Sequence, residues 1–167
     1  MKIAITGSRG IARSLQQAFQ EHDVCLLSRS TGHDINCVDT WGTDYLDRDV
    51  LINCAYDKWA QIQVLEFFYT QWREDSTKAI VTVGSRVVCY RQDQHYWPYQ
   101  MHKQALQLAH DTMQSTARCR MLIVNPGPTN TDMVRHRDIP KLCPDVVAEK
   151  IKAALADPLT RRLDLWL

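Results

Sequence analysis

Along this 167-residue chain, short apolar runs alternate with stretches in which apolar positions recur every three or four residues. Residues 2–6 (KIAIT) form an apolar run that halts at Gly7, and residues 11–21 carry apolar side chains at 11, 12, 15, 18 and 19, the spacing of one helix face. Residues 24–27 read as a second strand, 33–36 as the stub of a third, and 50–55 (VLINCA) as a buried fourth. Asp57 is placed to cap a helix that runs to Arg73, 79–83 is the next strand, and 99–116 the next helix. Residues 121–125 form a strand that ends at Pro126-Gly127, Pro144-Asp145 opens a helix to Ala156, and 163–167 form a last strand. Strands that are apolar without alternation, separated by amphipathic helices, predict an α/β fold with a parallel sheet covered on both faces. No repeat, low-complexity tract or linker interrupts the order, so one domain over 1–167 is expected, burying about 70% of the unfolded surface.

The helix over 58–73 is apolar nearly all round, with Trp59, Ile62, Val64, Leu65, Phe67, Phe68, Tyr69 and Trp72. One face covers the sheet. The remaining face predicts either a loop folded over it or a second subunit, and a homo-oligomer (dimer or tetramer) through helices 58–73 and 99–116 is the stronger expectation.

Composition narrows the classes. A net charge of +1 provides no basic footprint for nucleic acid and no polybasic stripe for a membrane surface. No apolar run reaches the roughly 18 residues of a membrane span, and MKIAITG reads as a first strand rather than a signal peptide. The six cysteines, at 25, 37, 54, 89, 119 and 143, are widely spaced without a CxxC or CxxH pair. They read as reduced thiols, which implies the cytoplasm. The histidines form no metal-ligand pattern with a carboxylate or cysteine, so no metal is expected.

Candidate chemistry begins at the first turn. Thr6-Gly7-Ser8-Arg9-Gly10-Ile11-Ala12 follows a strand and opens a helix, where glycines let backbone N–H groups approach a pyrophosphate. After the second strand the chain reads Leu27-Ser28-Arg29-Ser30, with no nearby acid to hold a ribose 2′-hydroxyl. Arg29, joined by Arg9 in the turn, suits a 2′-phosphate, so NADP(H) is favoured over NAD(H). Farther on, Tyr99 and Lys103 stand four residues apart, neighbours on one helix face. An ammonium beside a phenol favours the phenolate, so the Tyr99 pKa is expected below 10.

These residues together resemble the short-chain dehydrogenases/reductases. TGSRGIA resembles that family's glycine turn, and Asp34-Ile35 its acidic-hydrophobic pair at the adenine. The segment Asn53-Cys54-Ala55-Tyr56 lies where the family has Asn-Asn-Ala-Gly, and VTVGS places Ser85 at the family's catalytic serine. Tyr99 and Lys103 follow at the usual spacing, and NPGPTNT, with Pro126, Gly127, Thr129 and Thr131, resembles the turn that lines the nicotinamide.

The resemblance implies a Rossmann fold of about seven strands in the order 3-2-1-4-5-6-7. It also implies hydride transfer between a nicotinamide and a carbonyl or alcohol carbon. Tyr99 then acts as acid or base, Ser85 holds the substrate oxygen, and Lys103 lowers the Tyr99 pKa and binds the ribose. Tyr96 is the competing phenol, and His95, Trp97 and His102 are candidate substrate contacts. The chain departs from the family in several places. Cys54 and Tyr56 replace an Asn and a Gly, and residues 54–84 contain no Asn to serve the family's proton relay, leaving Gln61 or Gln63 as substitutes. The chain is also shorter than typical members, notably after Pro126-Gly127, where a substrate lid is usual, so an open, shallow pocket is expected. A catalytically retired NADP(H)-binding sensor or scaffold is the alternative function.

Overall fold

In the computed structural model, which describes residues 1–41, 43, 45–89 and 97–166, six parallel strands form one sheet in the order β2-β1-β3-β4-β5-β6. The strands are β1 (Lys2–Thr6), β2 (Asp23–Leu27), β3 (Val50–Asn53), β4 (Ala79–Val83), β5 (Arg120–Pro126) and β6 (Arg162–Leu165). Between them run α1 (Ile11–Ala18), α2 (Ala60–Trp72), α3 (Trp97–Gln114) and α4 (Pro144–Ala156). This is the expected doubly wound arrangement less its third strand. Register follows the pattern directly: Ile3 and Ile5 pair with Val50 and Ile52, and Val50 and Ile52 with Ala79 and Val81.

Both faces of the sheet are covered. Side chains at 3, 5, 50, 52, 81 and 83 pack beneath α1 and α4, while Ala4, Leu51, Ile80 and Met121 pack beneath α2 and α3. The inner strands β1, β3, β4 and β5 are therefore largely apolar at consecutive positions, because successive residues enter two different cores, whereas the edge strand β6 alternates (RLDL).

The stub expected at 33–36 is absent. Asp34 accepts the backbone N–H of Asn36 at 2.9 Å, and the chain coils into a 3-10 helix over Ile35–Thr40. Ile35, Val38 and Trp41 lie at three-residue spacing, which places all three against α2 beside Val64 and Phe68. That segment covers much of the α2 face that invited a second subunit. Asp57 does not cap α2 either; Trp59 is the N-cap residue, and the Asp57 carboxylate accepts the Asn36 side-chain amide at 2.8 Å.

Arg120, the first residue of β5, caps α4. Its guanidinium donates to the carbonyls of Ala154 at 2.7 Å and of Leu155 and Asp157, groups the helix end leaves unpaired. Arg120→Ala is expected to lower stability by about 2–3 kcal/mol, read as a lower urea midpoint with an unchanged m-value.

Candidate active site

The C-terminal ends of β1, β3, β4 and β5 open onto a cleft of about 880 Å³ at the point where the strand order reverses between β1 and β3. Its floor at one end is the glycine turn. Gly7 (φ +95°) and Gly10 (φ +54°) take left-handed backbone conformations that L side chains rarely adopt, and Gly10 is the N-cap residue of α1. A Cβ on Gly10 would lie 2.8 Å from the Thr131 methyl, so the loop after β5 packs directly across the turn. Ser8, Arg9 and Ile11 line the cleft here, as do Ser28, Arg29, Asp34 and Ile35 around the end of β2. Arg9 and Arg29 are both exposed. The hydrogen bonds from Asn36, helped by the Arg29 charge, hold the Asp34 carboxyl below its ordinary range. A glycine turn at a helix N-terminus with two guanidiniums at its flank fits a dinucleotide phosphate chain.

At the other end stand Ser85, Tyr99 and Lys103. Ser85 leaves β4 through Gly84, where a Cβ would meet Asn125 Oδ1 at 2.1 Å. Its hydroxyl accepts the Val87 N–H at 3.2 Å and lies near enough to the Tyr99 phenol to lower its pKa. Lys103, 3% exposed, donates to Gln61 Oε1 at 2.8 Å and to the Val83 carbonyl at 3.0 Å, with its Nζ 5.8 Å from the Tyr99 ring centroid. The backbone N–H groups of Cys54 and Ala55 donate to Thr6 Oγ1 at 2.8 and 2.9 Å, binding the chain after β3 to β1.

The expected low Tyr99 pKa is corrected. Burial pushes the phenol up to about 12, against the smaller lowering effect of the nearby Ser85 hydroxyl, and burial pulls Lys103 down to about 8. Desolvation penalises both charged forms, and the ammonium is directed at Gln61 and Val83 rather than at the phenol. Burial likewise pushes the Cys54 thiol up to about 12, so it is an inert wall rather than a nucleophile.

Pro126, Gly127, Thr129 and Thr131 line the same cleft, with Thr129 Oγ1 donating to the Gly127 carbonyl at 3.0 Å. Asn53 does not. It is fully buried, its side chain donating to the Gln61 carbonyl at 2.8 Å, because its position on β3 turns it toward α2. Of the candidate substrate contacts, Trp97 and His102 lie outside the lining, and His102 is buried behind Tyr56. Tyr96 and His95 lie outside the described residues. Two features escape sequence reasoning. Tyr56 enters the cleft with its ring edge-on to Tyr99 at 4.9 Å and its hydroxyl 2.9 Å from His102 Nδ1. Met133, Val134 and Ile139, from the segment between β5 and α4, give the cleft an apolar wall.

Neither protein-family models nor curated relatives match the sequence. Solved structures do match the fold. A short-chain dehydrogenase from Burkholderia cenocepacia J2315 in complex with NADP superimposes with a TM-score of 0.83 at 19% identity, covering 100% of this chain and 90% of that one. A 3-alpha-hydroxysteroid dehydrogenase from Pseudomonas sp. B-0831 complexed with NADH gives 0.74 at 19%, covering 99% and 95%. A 3-ketoacyl-(acyl-carrier-protein) reductase from Brucella melitensis complexed with NADH gives 0.76 at 16%, covering 98% and 96%. The chain has the fold of the short-chain dehydrogenases/reductases.

Proposed function

We propose that this chain is a short-chain dehydrogenase/reductase that uses NADP(H) to interconvert a small carbonyl compound and its alcohol. The observation that carries the reading is that Ser85, Tyr99 and Lys103, the last two one helical turn apart, stand together at one end of a cleft whose other end is a glycine turn flanked by arginines. A bound nicotinamide supplies the hydride; the chain's own residues hold the substrate and handle its proton.

Backbone N–H groups of the Gly7–Gly10 turn and the start of α1 would hold the pyrophosphate, and Arg9 and Arg29 a 2′-phosphate. Ser85 Oγ donates to the substrate oxygen and stabilises the charge that develops there. Tyr99 delivers the proton to that oxygen. Burial raises the pKa of its phenol to about 12, so it is protonated at neutral pH, which suits a donor. Tyr56, Val87, Met133 and Ile139 exclude water around the reacting carbon.

The test is NADPH consumption against aldehydes, ketones and diketones. Turnover of at least one class supports the reading. NADPH binding with no compound reduced would favour a sensor or scaffold. Cofactor choice has its own experiment: Arg29→Asp is expected to weaken NADPH binding about tenfold and NADH binding less than twofold, and equal losses would sink the 2′-phosphate argument.

A homo-oligomer remains part of the proposal. Trp97, Met101 and Leu108 are exposed at helical spacing on α3, near exposed Trp59 at the start of α2. All six cysteines are free, which supports a cytoplasmic location. Among the described residues no helix is long and apolar enough to cross a membrane.

A further inference from the structure

We infer that Gln61 is the positioning residue that fixes the Lys103 ammonium at the wall of the cleft, held there by a buried network running from β1 through β3 and α2 to α3. The consequence for cofactor binding rests on the oxidoreductase reading; the positioning itself does not.

A primary amide has two donor hydrogens and one acceptor oxygen. Gln61, 1% exposed, uses both hydrogens on backbone carbonyls, donating from Nε2 to Asn53 O at 2.9 Å and to Val83 O at 3.0 Å. Flipping the amide would aim Oε1 at two carbonyl oxygens, so its orientation is determined by its partners. Oε1 is then left for one donor, and Lys103 Nζ occupies it at 2.8 Å. The main chain of Gln61 is secured as well: Asn53 Nδ2 donates to its carbonyl at 2.8 Å, and Thr6 Oγ1 donates to Asn53 Oδ1 at 3.4 Å. Thr6 and Asn53 are fully buried and Lys103 nearly so, which makes each contact costly to break. Gln63, two residues on, is exposed and takes no part.

The amide is also the right chemistry. Its oxygen and the Val83 carbonyl are the acceptors of the ammonium, and both are neutral. The lysine is thereby held without its charge being cancelled, and the positive field still reaches the cleft. A glutamate of the same shape would neutralise it. A methionine would fill the space and withdraw the acceptor.

The test is an NMR titration of lysine side chains in the ¹³C,¹⁵N-lysine-labelled full chain, with the Lys103 signal assigned by its loss in Lys103→Met. The wild-type midpoint is expected near 8. Gln61→Glu should raise it by about one unit or more, since a carboxylate favours the charged amine, and Gln61→Met should lower it by about the same amount. Gln63→Met should leave it unchanged. Midpoints in Gln61→Glu and Gln61→Met that match the wild type would overturn the inference, and Gln61→Glu alone decides it if the methionine variant does not fold. NADPH affinity, read by fluorescence, is expected to fall about tenfold in Gln61→Glu. A shifted Lys103 midpoint with undiminished NADPH affinity would support the positioning role while removing Lys103 from the cofactor site.

Discussion

Replacing Tyr99 by Phe is expected to lower kcat for NADPH-dependent carbonyl reduction by about 10³-fold, with the NADPH Kd held within about twofold. The substitution removes one oxygen from the cleft and keeps the ring that packs edge-on against Tyr56. What is lost is the proton donor beside Ser85, so the defect should appear in turnover and not in binding. Lys103 and the glycine turn, the groups assigned to the cofactor, are untouched. Steady-state kinetics on the best substrate of the carbonyl panel, together with fluorescence titration of NADPH, make the comparison. Retained turnover in Tyr99→Phe would mean that the proton comes from elsewhere. Loss of binding alongside turnover would mean that the phenol supports the cleft rather than the reaction. Because the phenol stays protonated far above neutrality, the wild-type reduction rate should show no loss from Tyr99 ionisation between pH 6 and 9.

Acid should destabilise the chain through a different residue. His110 lies fully buried on α3, its Nδ1 paired with Thr82 Oγ1 at 2.9 Å and its Nε2 without a partner among the described residues. Burial pulls its pKa from 6.5 down to about 4; Asp111 opposes this and Arg162 adds to it, the two forming an ion pair with each other at 2.8 Å. The unfolded chain takes up a proton near pH 6.5 and the folded chain only near 4, so between those values the unfolded state binds more protons. Stability from this group is complete above about pH 6.5 and is lost as pH falls, by about 3 kcal/mol in total. His110→Gln removes the titration. Urea unfolding at pH 7.5 and 4.5 should show wild type losing about 2.5 kcal/mol more than the variant across that interval. Equal losses would show that His110 is protonated in the folded chain.

Much of the fold was legible because the sheet is built from local patterns. Apolar residues at consecutive positions in KIAIT, VLINCA and AIVTV require a strand buried on both faces, and six of the expected strands appear, within a residue or two of their predicted ends. The miss at 33–36 has a local cause that outweighed a weak apolar signal. The Asp34 carboxylate turns the chain by taking the Asn36 N–H, and Trp41 Nε1 donates to the Asp34 carbonyl at 3.0 Å. Those bonds replace a sheet ladder.

The candidate site was legible as residue types in order but not as states. Gly7, Gly10, Tyr99 and Lys103 were recognisable from local spacing, Ser85 and Thr131 from the resemblance to the short-chain dehydrogenases/reductases, and all of them line one cleft. Spacing also suggested that Lys103 would acidify Tyr99, yet burial raises the phenol and lowers the amine. Asn53 looked like its neighbours Cys54 and Ala55, but its strand position turns its side chain toward α2.

By itself, then, the sequence determined the order of strands and helices, the glycine turn, and the serine, tyrosine and lysine that the fold would carry, since each depends on residues a few positions apart. Only the tertiary structure decided that Gln61 rather than Gln63 meets Lys103, that Tyr56 enters the cleft, and that burial raises the Tyr99 pKa while lowering that of Lys103. Those outcomes depend on desolvation and on partners 42 positions apart, as Lys103 and Gln61 are, and no local pattern encodes which distant atoms will close around a charge.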